Sequence, residues 1–211
     1  AQEVNADLVM ATDPDADRIG VAVRDASGKM VLLNGNQILS ILTAYMLERW
    51  QALGKLKKGD PYMVKTIVST RLVDAICAKY EVDLYSVLTG FKNIATVVRA
   101  NEGKRVYIGG GEESNGFNPG DFVRDKDSAA SCGLLAECAA HLMDRGQTIW
   151  GYLLEIYNEF GYYKEGLTSI YRMGKEGAEE IQNIMKGYRE NPPQEIAGSK
   201  VVEAIDYLET E

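Results

Sequence analysis

Residues 12 to 18 read TDPDADR, with Asp13, Asp15 and Asp17 at alternate positions, a proline between the first two and Arg18 closing the run. Carboxylates crowded on one tight loop repel each other strongly once partly desolvated, and a hard divalent cation is their natural occupant. Such a ligand set with open positions suits Mg2+ completed by a phosphate oxygen. A calcium loop of the EF-hand type is disfavoured, because counting from Asp13 puts Arg18 where that loop needs Gly and Arg24 where it needs Glu. The alternative reading is a solvated acidic turn joining two strands.

Further stretches carry chemistry of other kinds. GGGEESNG, residues 109 to 116, opens on glycines that let backbone approach a ligand. Glu112 and Glu113 can accept from hydroxyl groups, and Ser114 can donate and accept, so the loop suits a polyol; otherwise it is a strand-to-helix turn with incidental acids. It lacks the Lys-Ser/Thr ending of a phosphate P-loop. RDKDS, residues 124 to 128, reads as a helix start with Asp127 at the N-cap. Lys126 just before that start is a candidate proton carrier. The helix dipole and Arg124 would lower its pKa, whereas Asp125 and Asp127 would raise it, and a solvated mixed-charge turn is the competing account. TGFKN, residues 89 to 93, supplies a second lysine, Lys92. His141, flanking a helical stripe with Leu134 and Cys138, is expected to be structural.

The elements that must position these loops follow from periodicity. ADLVMA, RIGVAVRD and KMVLL read as strands, the last two joined by a DASG turn. From Asn36 to Leu53 the period becomes helical, with Ile38, Ile41, Leu42, Tyr45 and Met46 forming one apolar stripe. YMVKTIVS, VDLYSVL and RVYIGG then read as strands separated by the helical TRLVDAICAKY and NIATVVRANE. This order predicts an α/β fold with a mainly parallel, mixed sheet flanked by helices and ligand loops at the strands' carboxyl ends. Helical runs at 128–143, 148–160 and 176–188, a strand-like GLTSIYR and a linker NPPQEIAGS complete the chain.

Composition narrows the setting. The 211 residues are 45% hydrophobic and 26% charged, enough for a buried core in one or two domains. A formal charge of -8 argues against broad binding of nucleic acid or anionic membrane, so an anionic substrate must meet local positive charge. No apolar stretch is long enough to span a bilayer and no signal peptide pattern is present, so a cytoplasmic location is expected. Cys77, Cys132 and Cys138 show neither a disulfide framework nor a zinc spacing.

DPDADR, TGFKN, GGGEESNG and RDKDS, in this order, resemble the α-D-phosphohexomutases, in particular the phosphoglucomutase and phosphomannomutase members. The resemblance runs from about Asp7 to Phe160, and the tail GSKVVEAIDYL looks like the family's passage out of its third domain. It implies that Asp13, Asp15 and Asp17 hold Mg2+, that Arg18 lies against the reacting phosphate, and that Glu112 and Ser114 grip sugar hydroxyls. Thr89 and Gly90 would contact the substrate as it reorients, with Arg124 also on the substrate side, and Lys126, or alternatively Lys92, would be the general acid/base. The implied isomerase moves a phosphoryl group between the 1- and 6-positions of glucose or mannose phosphate through a phosphoserine and a bisphosphate.

The family's phosphoserine loop and its C-terminal Arg-Pro-Ser-Gly-Thr loop do not occur in this sequence. The expectation is therefore a fragment: residues 1–34 ending a second domain and carrying the metal loop, 35–190 forming the third domain, and 191–211 a linker toward a fourth. Its partners would be a hexose phosphate and the rest of its own polypeptide, and alone it would be inactive. The competing classes are a non-catalytic sugar- or metal-binding module and a Mg2+-dependent phosphatase whose Asp-x-Asp includes a nucleophile. GEESNG and DKD side with phosphoglucomutase-like members.

Overall fold

A computed structural model describes residues 3–166 and 169–207, and its contacts divide the chain into two compact units, Ala1–Glu165 and Gly166–Glu211. The first unit opens with an antiparallel sheet of β1 (Leu8–Thr12), β2 (Ile19–Arg24) and β3 (Met30–Leu33). Thr12 pairs with Ile19, so the acidic loop 13–18 is the connection of a β-hairpin. Ile19, Val21 and Val23 alternate into the core, the period-2 pattern of a half-buried strand. The DASG turn forms as read: Asp25 Oδ1 accepts from Ser27 N, Ser27 Oγ and Lys29 N, and Gly28 takes φ +81°.

The second sheet has the order β5-β4-β6-β7, from β4 (Pro61–Thr66), β5 (Asp83–Val87), β6 (Val106–Gly111) and β7 (Phe117–Asn118). β5 and β6 flank β4 in parallel, and β7 returns antiparallel to β6. The crossover helices α2 (Leu72–Lys79) and α3 (Phe91–Asn101) lie on opposite faces. The chain steps first to one side of β4 and then to the other, and right-handed crossovers then demand opposite faces. Tyr62, Val64 and Tyr107 pack with Phe91, Ile94 and Val98 under α3, while Met63 and Ile108 face the larger core with Leu72, Ile76 and Cys77 of α2. The strand expected through Ser69 stops at Thr66, because Ser69 N turns back to the Thr66 carbonyl.

α1 (Gly35–Ala52) starts on a capping box in which Asn34 Oδ1 accepts from Gln37 N at 2.9 Å and Gln37 Oε1 accepts from Asn34 N at 3.0 Å. Instead of one apolar stripe, every residue from Ile38 to Leu47 is buried. α1 contacts β6, α2, α4 (Ser128–Asp144) and α5 (Ile149–Phe160), so its polar-looking face is covered by neighbouring helices. Gly35 admits no side chain, because a Cβ there would lie 1.9 Å from the Glu113 carbonyl oxygen.

The second unit contains α6 (Gly174–Glu190) and a short hairpin of β8 (Glu195–Ile196) and β9 (Ser199–Lys200), formed within the stretch read as a linker. Arg172 pairs with Glu180 and Arg189 with Asp206. The strand expected at GLTSIYR is absent from its described residues, which have no ladder partner; Leu167 and Thr168 of that stretch, like Leu208 of the tail, lie outside the described residues. No helix among the described residues is long and apolar enough to cross a membrane.

Candidate functional site

The hairpin loop 13–18 gathers its carboxylates. One oxygen from each of Asp13, Asp15 and Asp17 lies within 4.8 Å of the others. Oxygens bound to Mg2+ at about 2.0–2.1 Å are at most about 4.2 Å apart, so a small side-chain rotation closes this cluster on a cation. Asp13 Oδ1 accepts from the backbone N–H of Asp17 and Arg18, each at 3.1 Å, and Oδ2 accepts from Arg18 Nε at 2.7 Å. Desolvation pushes the Asp13 carboxyl up, but these Arg18 and Asp17 hydrogen bonds outweigh it and hold the group at about 2. Arg18 Nε also lies 3.3 Å from Asp17 Oδ1, near enough to attract its charge yet not aligned for a hydrogen bond. A buried carboxylate oxygen without a donor, in a triad of this span, fits a hard cation.

The loop after β6 is stitched to the acidic loop 13–18. Arg18 and Gly116 form an antiparallel bridge between the two sheets, and Ile19 N donates to the Asn115 carbonyl at 3.1 Å. Glu112, 9% exposed, accepts from Gly90 N at 3.2 Å, which ties this loop to the one after β5. Burial raises the Glu112 carboxyl, more than the Gly90 N–H and the Lys126 charge lower it. Glu113 has a different part from the one its type suggests. Its Oε2 accepts from Thr66 Oγ1 at 3.1 Å and Ser69 Oγ at 3.4 Å, so it fixes the turn after β4. Ser114 is exposed at the tip of the loop.

Lys126 joins these pieces. Its Nζ lies 3.0 Å from Asp17 Oδ2 and 3.0 Å from Asp125 Oδ1, and 5.0 Å above the Phe91 ring at the start of α3. Its stem crosses Gly116, where an added Cβ would meet Lys126 Cδ at 2.2 Å. Desolvation lowers the Lys126 pKa, but pairing with Asp125 and Asp17 wins and the net direction is upward. Arg124, the cation expected to pull it down, has its Nη2 on Glu102 at 2.6 Å. Glu102 caps the far end of α3, about 16 Å along an 11-residue helix from Gly90. Arg124 is thereby directed away from the loop at Gly90.

Of the other residues singled out in the sequence, Thr89 and Lys92 are exposed around the first turn of α3, and Gly90 caps it at φ +103°. The Thr89 carbonyl accepts from Asn93 Nδ2. His141 packs its ring 5.8 Å from that of Tyr45, in keeping with a structural role. Sequence reading passed over Ser128, whose N–H and Oγ both donate to the Ala16 carbonyl, at 3.1 and 2.7 Å, and so pin the acidic loop to the start of α4. Asp127 Oδ1 accepts from Ala130 N, as an N-cap should. The only sequence signal for Ser128 was its place beside that cap.

In a mainly parallel, mixed sheet flanked by helices, the acidic hairpin loop, the glycine-acid loop and a lysine converge near the carboxyl ends of the parallel strands, which is where α/β folds commonly bind ligands. Residues 34–160 match the family model described as phosphoglucomutase/phosphomannomutase, alpha/beta/alpha domain III. The phosphoglucomutase of Staphylococcus aureus strain MRSA252 is 39% identical over 211 residues, which are 100% of this chain and 37% of that protein. The chain therefore belongs to the phosphoglucomutase/phosphomannomutase family, and spans 37% of the length of the curated relative it matches. Among solved structures, Paramecium parafusin in its open form superposes with a TM-score of 0.65 at 19% identity, over 92% of this chain and 32% of that one. A phosphoglucomutase/phosphomannomutase family protein from Burkholderia thailandensis gives 0.55 at 18% identity, over 72% and 29%. Both share the fold.

Proposed function

We propose that the chain is the metal- and sugar-binding portion of a longer phosphohexomutase that interconverts the 1- and 6-phosphates of glucose or mannose. The observation that carries this reading is the position of Lys126, which touches Asp17 of the metal loop, Phe91 at the start of α3 and Gly116 of the loop after β6. Residues 1–34 would close a preceding domain, 35–190 form the third, and 191–211 lead to a fourth. Those other parts would supply the phosphoserine and the second phosphate site.

In each half-reaction a phosphoryl group leaves serine oxygen for a sugar hydroxyl, or returns, and the hydroxyl proton must be moved. Asp13, Asp15 and Asp17 would hold Mg2+, which when bound supplies charge stabilisation to the transferring group. Arg18, with half of its side chain exposed, is free to lie against the same phosphate. Lys126 carries the proton, Glu112 and Ser114 orient sugar hydroxyls, and Thr89 and Gly90 line the path on which the bisphosphate turns over. A phosphatase with a nucleophilic aspartate is less well supported, because its Asp-x-Asp gives no account of the glycine-acid loop that is stitched to the acidic loop through Arg18 and Gly116.

The test compares the full-length polypeptide with this isolated chain, using glucose 1-phosphate and its bisphosphate activator. Turnover by the whole protein, lost in Asp15→Asn, and none by the isolated chain is the expected pattern. Phosphate release without isomerisation would favour the phosphatase, and no turnover by the whole protein would leave a binding module.

A further inference from the structure

The segment from Pro119 to Asp125 has no regular structure, residues 121 to 125 are exposed, and Lys126 hangs at its end. What holds that end is the two-residue strand β7. Asn118, 1% exposed, uses both hydrogens of its amide: Nδ2 donates to the Val123 carbonyl at 3.1 Å and to the Asp125 carbonyl. A reversed amide would set Oδ1 against those same carbonyl oxygens, so the network itself fixes the orientation. On the other side of the lysine, Asp127 N donates to the Phe117 carbonyl at 3.1 Å, which also accepts from Ser131 Oγ. The residues before and after Lys126 are thus both tied to β7. β7 is in turn registered on β6 through Gly110↔Asn118 and Gly111↔Phe117, the strand that delivers Glu112.

We infer that Asn118 is a positioning residue that sets Lys126 at a fixed distance from the metal loop and from Glu112, by clamping the carbonyls of Val123 and Asp125. The inference rests on Lys126 being the proton carrier. Few side chains can do this in the space available. Leucine fills the volume but donates nothing, aspartate turns acceptors toward two carbonyls, and glutamine adds a methylene to a site that is fully enclosed. Proton transfer needs hydrogen-bond reach, so a lysine released by an ångström or so loses rate without the substrate losing its grip.

The experiment is a double-mutant cycle in the full-length polypeptide, with kcat and KM measured for Asn118→Leu and Asn118→Asp, alone and combined with Lys126→Met. The expected result is a kcat lowered by about 10- to 100-fold with KM changed less than about twofold, and no additional loss once Lys126 is gone. If Asn118→Leu melts below the assay temperature, Asn118→Ser, which keeps one donor, enters the same cycle. Normal kcat in the Asn118 variants with a slow Lys126→Met overturns the positioning role and leaves the function standing. An equal loss in the Lys126→Met background also overturns it, since that marks a general effect on folding. A fully active Lys126→Met overturns the assignment of Lys126 and this inference together.

Discussion

Lys126 and Lys92 differ in their surroundings more than in their sequence neighbourhood. Lys126 is 13% exposed along its side chain and held by Asp17 and Asp125, whereas Lys92 stands exposed on the first turn of α3. In the full-length polypeptide Lys126→Met is expected to lower kcat by about 100-fold or more, while Lys92→Met acts mainly on KM. Steady-state kinetics with glucose 1-phosphate check this, and the reverse pattern would move proton transfer to Lys92. Glu112 allows a prediction about stability. Its folded pKa lies above the unfolded value of about 4.3, so burying it costs nothing well below that pH and the full penalty once pH exceeds the folded value. Glu112→Gln keeps an oxygen for the Gly90 N–H and removes the charge. It is expected to stabilise the chain at pH 7 by about 0.5–2 kcal/mol, with the gain vanishing near pH 4. Thermal melts at both pH values test it, and a gain independent of pH would assign the effect to packing instead.

At the scale of elements, the metal loop is held in shape from outside. Ala16 sits at φ +57°, a conformation unfavourable to a residue with a Cβ, and its carbonyl receives both the N–H and the hydroxyl of Ser128. The N-terminus of α4 therefore acts as a post for the β1–β2 hairpin. Ser128→Ala removes one of the two bonds and should cost about 1 kcal/mol in a denaturant titration. It should also weaken Mg2+ binding, because the loop then spends more of its time away from the conformation that gathers Asp13, Asp15 and Asp17. Unchanged Mg2+ affinity with reduced stability would show that the loop keeps its own shape.

For the whole molecule, charge and core are separate matters. The chain carries a net -8, yet Arg18 and Lys126 put positive charge directly beside the acidic loop. Those ion pairs, on Asp13 and Asp17, offset part of the loop's negative charge without metal, and none of the residues of the main core belongs to the loop. Removing metal with a chelator should consequently leave the far-ultraviolet circular dichroism of this chain intact while abolishing turnover of the full-length polypeptide. Adding Mg2+ back should raise the melting temperature progressively, by an amount equivalent to about 2.7 kcal/mol at 100 times its dissociation constant, and restore turnover. A chain that unfolds on chelation would make the metal structural rather than catalytic.

Much of this arrangement is legible in the residues alone. The strand and helix order through Phe160 apart from β7, the DASG turn and the Asp127 cap depend on hydrophobic period and on hydrogen bonds between residues a few positions apart, which are local properties of the chain. The order of the loop motifs was local as well, and carried the family. Other features wait on contacts between distant segments. α1 is buried all round because helices from beyond residue 70 cover it, and β7 is too short to show a period. Arg124 pairs with Glu102 at the end of α3, Glu113 turns inward to Thr66 and Ser69, and Lys126 finds Asp17 more than a hundred residues upstream. A charged side chain settles on whichever opposite charge the fold brings within about 4 Å, and only the tertiary structure decides which one that is.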